Sequence, residues 1–289
     1  MSESPRTHPA APAPAQDAFL ASWEQWRVAR LTQLREPYGI LSPVGLHWLG
    51  TQPQSHPGVP GLWWVTAGGV RARATAAEAL RVDGVLVDGE VPVRSEGIVP
   101  PPGGAVQVTS GELRVDVLAF PETGGQETRW ALRPRSPRSP ALRRFRDVPA
   151  LPPRPEWVTR AVFASYPQPR RQVLATALDT VRREFSIPGR LLFRLAGREL
   201  ALEPYGGRED LLNIPFRDLT SGATTYGAAR VLYARRPAGA LRDGQEVVLD
   251  FNRAINPPCA FTPYASCALP PTGNTLPIAV EAGELTPVL

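Results

Sequence analysis

Two runs, Thr225-Tyr-Gly-Ala-Ala-Arg230-Val-Leu-Tyr-Ala234 and Glu246-Val-Val-Leu-Asp250-Phe-Asn-Arg253, alternate in character with the period of two that a half-buried strand requires. In the first, Tyr226, Ala228, Arg230 and Leu232 share a face. In the second, Val248, Asp250 and Asn252 share one, which leaves Val247, Leu249 and Phe251 for the other. A turn centred near Ala240 predicts a hairpin that sets Arg230 opposite Asp250 and Ala228 opposite Asn252. Such an opposite-charge pair stabilises a sheet by about 0.2–1 kcal/mol and needs no further role. The functional reading of the same residues is a pocket wall in which Tyr226, Arg230, Asp250 and Asn252 converge on a polar ligand.

Outward from these runs the same period holds back to Gly50. Turn signals punctuate it at Asp83-Gly84, Asp88-Gly89, Gly103-Gly104, Ser110-Gly111, Gly124-Gly125, Gly197, Gly206-Gly207, Ser221-Gly222 and Asp243-Gly244. Strands at that spacing, with no long helical pattern between them, predict a mainly β fold, an antiparallel sandwich or barrel. One or two N-terminal helices precede it. Leu20, Trp23, Arg27, Leu31 and Leu34 fall on one helical face, widened by Phe19 and Trp26, with Asp17 as N-cap and Pro37 and Gly39 as the stop. Ser42, Pro43 and Gly50 signal a second short helix with His47 in its last turn. Residues 1–15, small and proline-rich, read as a flexible tail, and 16–289 as one β-rich domain. The stretch 133–154 is dense in arginine and proline; it reads as a solvated connection, because proline donates no ladder hydrogen bond, and a subdomain junction would fall near 133–155.

All 32 basic residues are arginine, beside abundant alanine, proline and glycine, a bias that suggests a GC-rich bacterial genome. Codon pressure therefore accounts for the net charge of +5, and no nucleic-acid partner is expected. The N-terminus lacks the apolar core of a signal peptide, no stretch has the length of a membrane span, and only two cysteines occur, so a cytoplasmic protein is expected.

Chemistry concentrates after Asp250, where proline pairs, Cys259, Cys267, Tyr264, Asn256 and Asn274 crowd an irregular segment. Eight positions between the cysteines do not match the tight knuckles of structural zinc, and no metal is expected. A thiol nucleophile, Cys259 or Cys267, would need an activating neighbour. Of three histidines, His8 lies in the tail and His56 in a proline-rich loop, which makes His47 the credible imidazole. Two buried structural cysteines are the plainer account. The Gly-rich dinucleotide and phosphate loops, the Gly-x-Ser-x-Gly elbow and the His-Glu-x-x-His motif are absent. The cofactor, if any, is left open. The sequence reading is a small polar or anionic molecule bound between Tyr226, Arg230, Asp250 and Asn252 and closed over by the 256–267 loop with Asn256 and Tyr264; a Cys/His enzyme and a protein-interaction module are the alternatives.

The run from Asp250-Phe-Asn-Arg through Asn256-Pro-Pro-Cys259-Ala-Phe-Thr-Pro-Tyr264-Ala-Ser-Cys267, then Leu269-Pro-Pro271, Asn274, Leu276-Pro277 and Ala282-Gly-Glu284, resembles a bacterial family of unknown function. Phe216-Arg-Asp218, Thr220, Gly222, Thr225-Tyr226-Gly227, Arg230 and Gly45-Leu-His-Trp-Leu49 extend the resemblance upstream. Where such relatives are expected to carry an acid soon after Arg133, Pro134, Arg135 and Ser136 follow here. The resemblance implies no activity, cofactor or catalytic residue.

Overall fold

The structure, a computed structural model, describes residues 13–94, 107–121, 128–178, 180–205, 207–208, 210–237, 239 and 241–288. Among them the chain is mainly β, antiparallel and sandwich-like, with no closed barrel. Several of the expected Gly turns, His8 and the hairpin centre at Ala240 lie outside the described residues.

One N-terminal helix, α1 (Ala13–Leu34), precedes the strands. It begins earlier than expected, so Asp17 sits in its second turn and not at its cap, and residues 13–15 are helical; residues 1–12 lie outside the described residues. Pro14 falls in the first turn, where a missing N–H breaks no helical bond. The expected inward face is the one that docks: Leu34 is buried and Trp23, Arg27 and Leu31 are partly buried. Arg30, on the same face, is buried as well, with its Nε donating to Glu284 at 2.9 Å.

The second expected helix does not form. Residues 42–49 run extended, with His47–Trp48 as a short strand pairing Leu132 and Ala131. Bonds from Val44 N to the Pro134 carbonyl (2.9 Å) and from Leu49 N to the Trp130 carbonyl (2.9 Å) draw the segment onto a neighbouring strand, which a helix cannot supply. The same Ser-Pro signal does start a helix at Pro140–Arg144, where Ser139 Oγ accepts from Leu142 N at 3.1 Å.

Two pairs of sheets carry the core. In the first pair, a sheet ordered His47–Trp48, Arg129–Arg135, Leu113–Phe120, Val108–Ser110, Arg81–Val82, Val85–Leu86 faces one ordered Gln54–His56, Val59–Thr66, Gly69–Ala74, Gly89–Val93. Trp63, Val70 and Ala72 pack against Val108, Val115, Val117 and Leu132 between them. Pro134 therefore lies inside a strand, against expectation. Its carbonyl accepts from Val44 N, so its nitrogen faces the same edge segment and not Leu113–Phe120, and the ladder to that strand loses no bond. Arg133 and Arg135 are not solvated linker either. Both reach one oxygen of Asp116 on the adjacent strand, at 2.8 and 2.7 Å.

In the second pair, a sheet ordered Arg198–Leu202, Arg182–Leu195, Val158–Ala175, Glu246–Asp250 faces Gly207–Arg208, Leu211–Phe216, Arg230–Arg235. Here the expected hairpin fails. Arg230–Arg235 pairs with Leu211–Phe216, and Glu246–Asp250 pairs with Val158–Ala175, so Arg230 stands opposite Phe216 and Asp250 opposite Val158. The apolar faces of the two runs meet across the core instead of edge to edge: Leu232 belongs to the same buried cluster as Val247, Leu249 and Phe251. Among the described residues no helix is long and apolar enough to cross a membrane.

Candidate functional site

Arg230 is completely buried, and a guanidinium in that position must be neutralised and hydrogen-bonded within the protein. Its Nη2 donates to Asp218 Oδ2 at 2.6 Å and to the Val280 carbonyl at 3.0 Å, while Nη1 donates to the Ala282 carbonyl. Burial lowers its pKa from the ordinary guanidinium value, opposed by the charge of Asp218. The other oxygen of Asp218 accepts from the backbone N–H of Thr220 at 2.6 Å and from the Thr220 hydroxyl. One ion pair thus fixes the loop after Phe216 and the extended segment around residue 281.

Asn252, equally buried, clamps a different stretch. Its Oδ1 accepts from Arg154 N (2.9 Å), and its Nδ2 donates to the Arg154 carbonyl (3.0 Å) and to Asp250 Oδ1 (2.9 Å). Asp250 also pairs with Arg253 at 3.1 Å. Asn256 donates its backbone N–H to Glu284 (2.7 Å) and its Nδ2 to the Leu285 carbonyl (2.7 Å). Glu284, fully buried, takes Arg30 as well, and so joins α1 to the C-terminal segment. Tyr264 is half-buried, and the bond formed at this residue runs from its backbone N–H to Thr262 Oγ1 at 3.3 Å.

The segments that these residues hold enclose a cleft of about 630 Å³. Leu151, Arg154, Thr220, Ala223, Glu281 and Leu285 are among its lining. Arg154 is positioned by Asn252, Thr220 by Asp218, Glu281 by the grip of Arg230 on the carbonyls either side, and Leu285 by Asn256. Leu151 is tied in by its N–H to the Gly283 carbonyl at 3.0 Å. Arg230, Asn252 and Asn256 therefore stand one layer behind a cavity wall. The cleft floor is chiefly aliphatic. Its charged lining is the pair Arg154 and Glu281; the Arg154 guanidinium lies 3.3 Å from Glu156, 3.7 Å from the Glu281 carboxylate and 5.6 Å from the centre of the Trp157 ring.

Sequence reasoning missed Arg154 because it ends an arginine- and proline-rich run, and missed Ala223 because a loop has no period. The available signal was Phe216-Arg-Asp218 with Thr220, whose Asp-x-Thr spacing suits a carboxylate that caps its own turn.

The two cysteines are brought together. Cys259 N donates to Cys267 Sγ at 3.2 Å, both thiols are free, and both are partly exposed. The Tyr226 hydroxyl donates to the Cys259 carbonyl at 3.0 Å. His47 is not part of this group. Its ring lies 5.5 Å from that of His56, and no hydrogen bond joins it to either thiol.

A family model described as a protein of unknown function (DUF1684) matches residues 143–285, a span that contains every residue of the cleft and both cysteines. An uncharacterized protein of Haloarcula marismortui, solved by solution NMR, is 33% identical over 52% of this chain and 83% of its own, with a TM-score of 0.43. No curated protein matches the chain. The C-terminal half of the chain, residues 143–285, is therefore similar to the DUF1684 family of proteins of unknown function.

Proposed function

We propose that the protein binds a small organic molecule with a polar or anionic group in the cleft between residues 151–154, 219–224 and 281–285. The observation that carries this reading is the cleft itself: about 630 Å³, within the size range of small-molecule sites, with an aliphatic floor and the Arg154 cation at its rim beside the Glu281 carboxylate. Its walls are irregular chain, which would drift without support. Buried polar side chains, Arg230, Asn252 and Asn256, are committed to holding those walls, and a wall held this way has its shape before a ligand arrives. A carboxylate or similar anion on the ligand would exchange for Glu281 or Glu156 at the Arg154 guanidinium, while its apolar body covers Leu151 and Leu285.

The probe that suits this description is anilinonaphthalene sulfonate, an aromatic anion whose fluorescence rises on leaving water. It binds the folded wild type saturably at one site, and Ala223→Trp, which fills the cleft from a loop position, abolishes the signal without moving the unfolding midpoint. Equal binding by the wild type and a folded Ala223→Trp protein would overturn the assignment.

A further inference from the structure

We propose that Cys259 and Cys267 form a redox-active dithiol that reduces hydroperoxides and closes to an intramolecular disulfide, independently of the ligand cleft. The cysteines lie eight residues apart in a proline-rich segment, but both ends of that segment are pinned. At one end Pro258–Ala260 forms a single 3-10 turn, and the Cys259 carbonyl accepts from Tyr226. At the other, the Cys267 carbonyl accepts from Ala177 N at 2.8 Å, and Ala268 bridges Thr176 across an antiparallel contact. The N–H of Cys259 then points at Cys267 Sγ, 3.2 Å away, which sets the sulfur of one cysteine against the backbone of the other. A disulfide, about 2 Å between sulfurs, would close this pair by rotation of the two side chains.

The two sulfurs are not equivalent. Cys259 is held below the usual thiol pKa, first by the hydrogen bond from the Cys267 thiol and then, against its own burial, by that of the Tyr226 hydroxyl. Cys267 is pushed up by the same thiol–thiol bond and by burial. The surroundings supply cations as well: the charges of Arg133, from the first pair of sheets, and Arg183, from the second, act on Cys267, as does the nearby Tyr205 phenol. Such a pair divides naturally into an attacking and a resolving thiol.

In the first step the Cys259 thiolate attacks one oxygen of the hydroperoxide. An S–O bond forms, the O–O bond breaks, and the departing alkoxide or hydroxide takes a proton from solvent, leaving Cys259 as a sulfenic acid. In the second, Cys267 loses its proton and attacks the Cys259 sulfur; the S–S bond forms, the S–O bond breaks, and hydroxide leaves with that proton as water. Two thiols and one hydroperoxide give one disulfide, one water and one alcohol, or a second water when the oxidant is hydrogen peroxide. The sulfurs lose the two electrons that the peroxide gains.

The test is intact-mass analysis of the full chain treated with stoichiometric hydrogen peroxide and then alkylated under denaturing conditions. The wild type loses the mass of two hydrogens and takes up no alkylating agent, and thiol reductant restores both reactive sites. Cys267→Ser stops at the sulfenic acid on Cys259, trapped by dimedone, whereas Cys259→Ser reacts far more slowly and gives no adduct. Two thiols that stay alkylatable in the wild type, or oxidation to sulfinic acid with no disulfide, would overturn the proposal. Because that measurement uses unmutated protein, it stands even if a cysteine variant misfolds, and it does not depend on whether the cleft binds the fluorescent anion.

Discussion

Replacing Arg230 with methionine removes the charge and all three hydrogen bonds of its guanidinium while keeping much of the apolar stem volume. It leaves the Asp218 carboxylate, with no exposed side-chain surface, without its cation, and the Val280 and Ala282 carbonyls without donors. Breaking a buried ion pair from one side costs about 3–5 kcal/mol. Each orphaned carbonyl would add about 1–3 kcal/mol if it stayed dry. These losses overlap, because a wall that loosens lets water in, so the lower figure sets the expectation. Against a total stability of about 5–15 kcal/mol, a loss of 3–5 kcal/mol is large. At a urea dependence of about 2–3 kcal/mol per molar, the unfolding midpoint falls by about 1–2.5 M. Urea unfolding followed by tryptophan fluorescence reads this directly. The control is Arg160→Met, which breaks an exposed pair with Glu246 of comparable length, 2.9 Å, and whose loss is expected to stay below about 1 kcal/mol. A methionine variant at 230 as stable as that control would refute the view that the Arg230–Asp218 pair organises these walls.

Gly283→Ala tests the C-terminal wall. The position has φ +79°, and a Cβ there would sit 2.6 Å from the Ala254 carbonyl oxygen and 2.9 Å from Ala254 Cβ. A left-handed backbone costs an L residue about 1–2 kcal/mol, and the overlap about 1–3 kcal/mol more. Gly111→Ala, at φ +55° with open space around it, carries the backbone cost alone, so the two variants differ in stability by the overlap; equal losses would contradict the packing. The pH dependence has a defined sign at His56, whose pKa is lowered from the ordinary histidine value, first by burial and then by the charge of His47. The folded state favours the neutral ring. Its contribution to stability is full above the unfolded-state value of about 6.5 and is lost as pH falls through the folded value. His56→Gln should therefore flatten the decline in urea midpoint between pH 7 and pH 5, and an unchanged decline would remove His56 as a cause.

Strand content, antiparallel order and the docking face of α1 were legible because they follow from local periodicity, which burial enforces residue by residue. Strand partners were not. Alternation states which side of a run is buried, and both 230–235 and 246–250 satisfy it equally well as a hairpin or as members of facing sheets. Burial of Leu232 and Leu249 in one core cluster decides the matter, and that shared core has no local signature. The Ser-Pro dipeptides at 42–43 and 139–140 carry the same helix-start chemistry, but a strand edge captures the first and a hydrogen-bonded Ser139 caps the second. At the candidate site the conspicuous residues were found and their depth was misjudged. Arg230 and Asn252 are polar residues in unusual positions because they brace a wall, and Arg154 and Ala223, which face the cleft, look ordinary in sequence. The pattern Ala282-Gly-Glu284 becomes intelligible in the same way: a carbonyl for Arg230, a left-handed turn against Ala254, and a carboxylate for Arg30 and Asn256.

The most direct test of ligand binding in the cleft is native mass spectrometry of the wild type and Ala223→Trp after incubation with a defined panel of small carboxylate-bearing compounds. A bound cleft predicts at least one compound retained at one copy per chain by the wild type and lost by the variant, with both proteins folded. A panel that leaves the wild type bare, or adducts that Ala223→Trp retains equally, would contradict it.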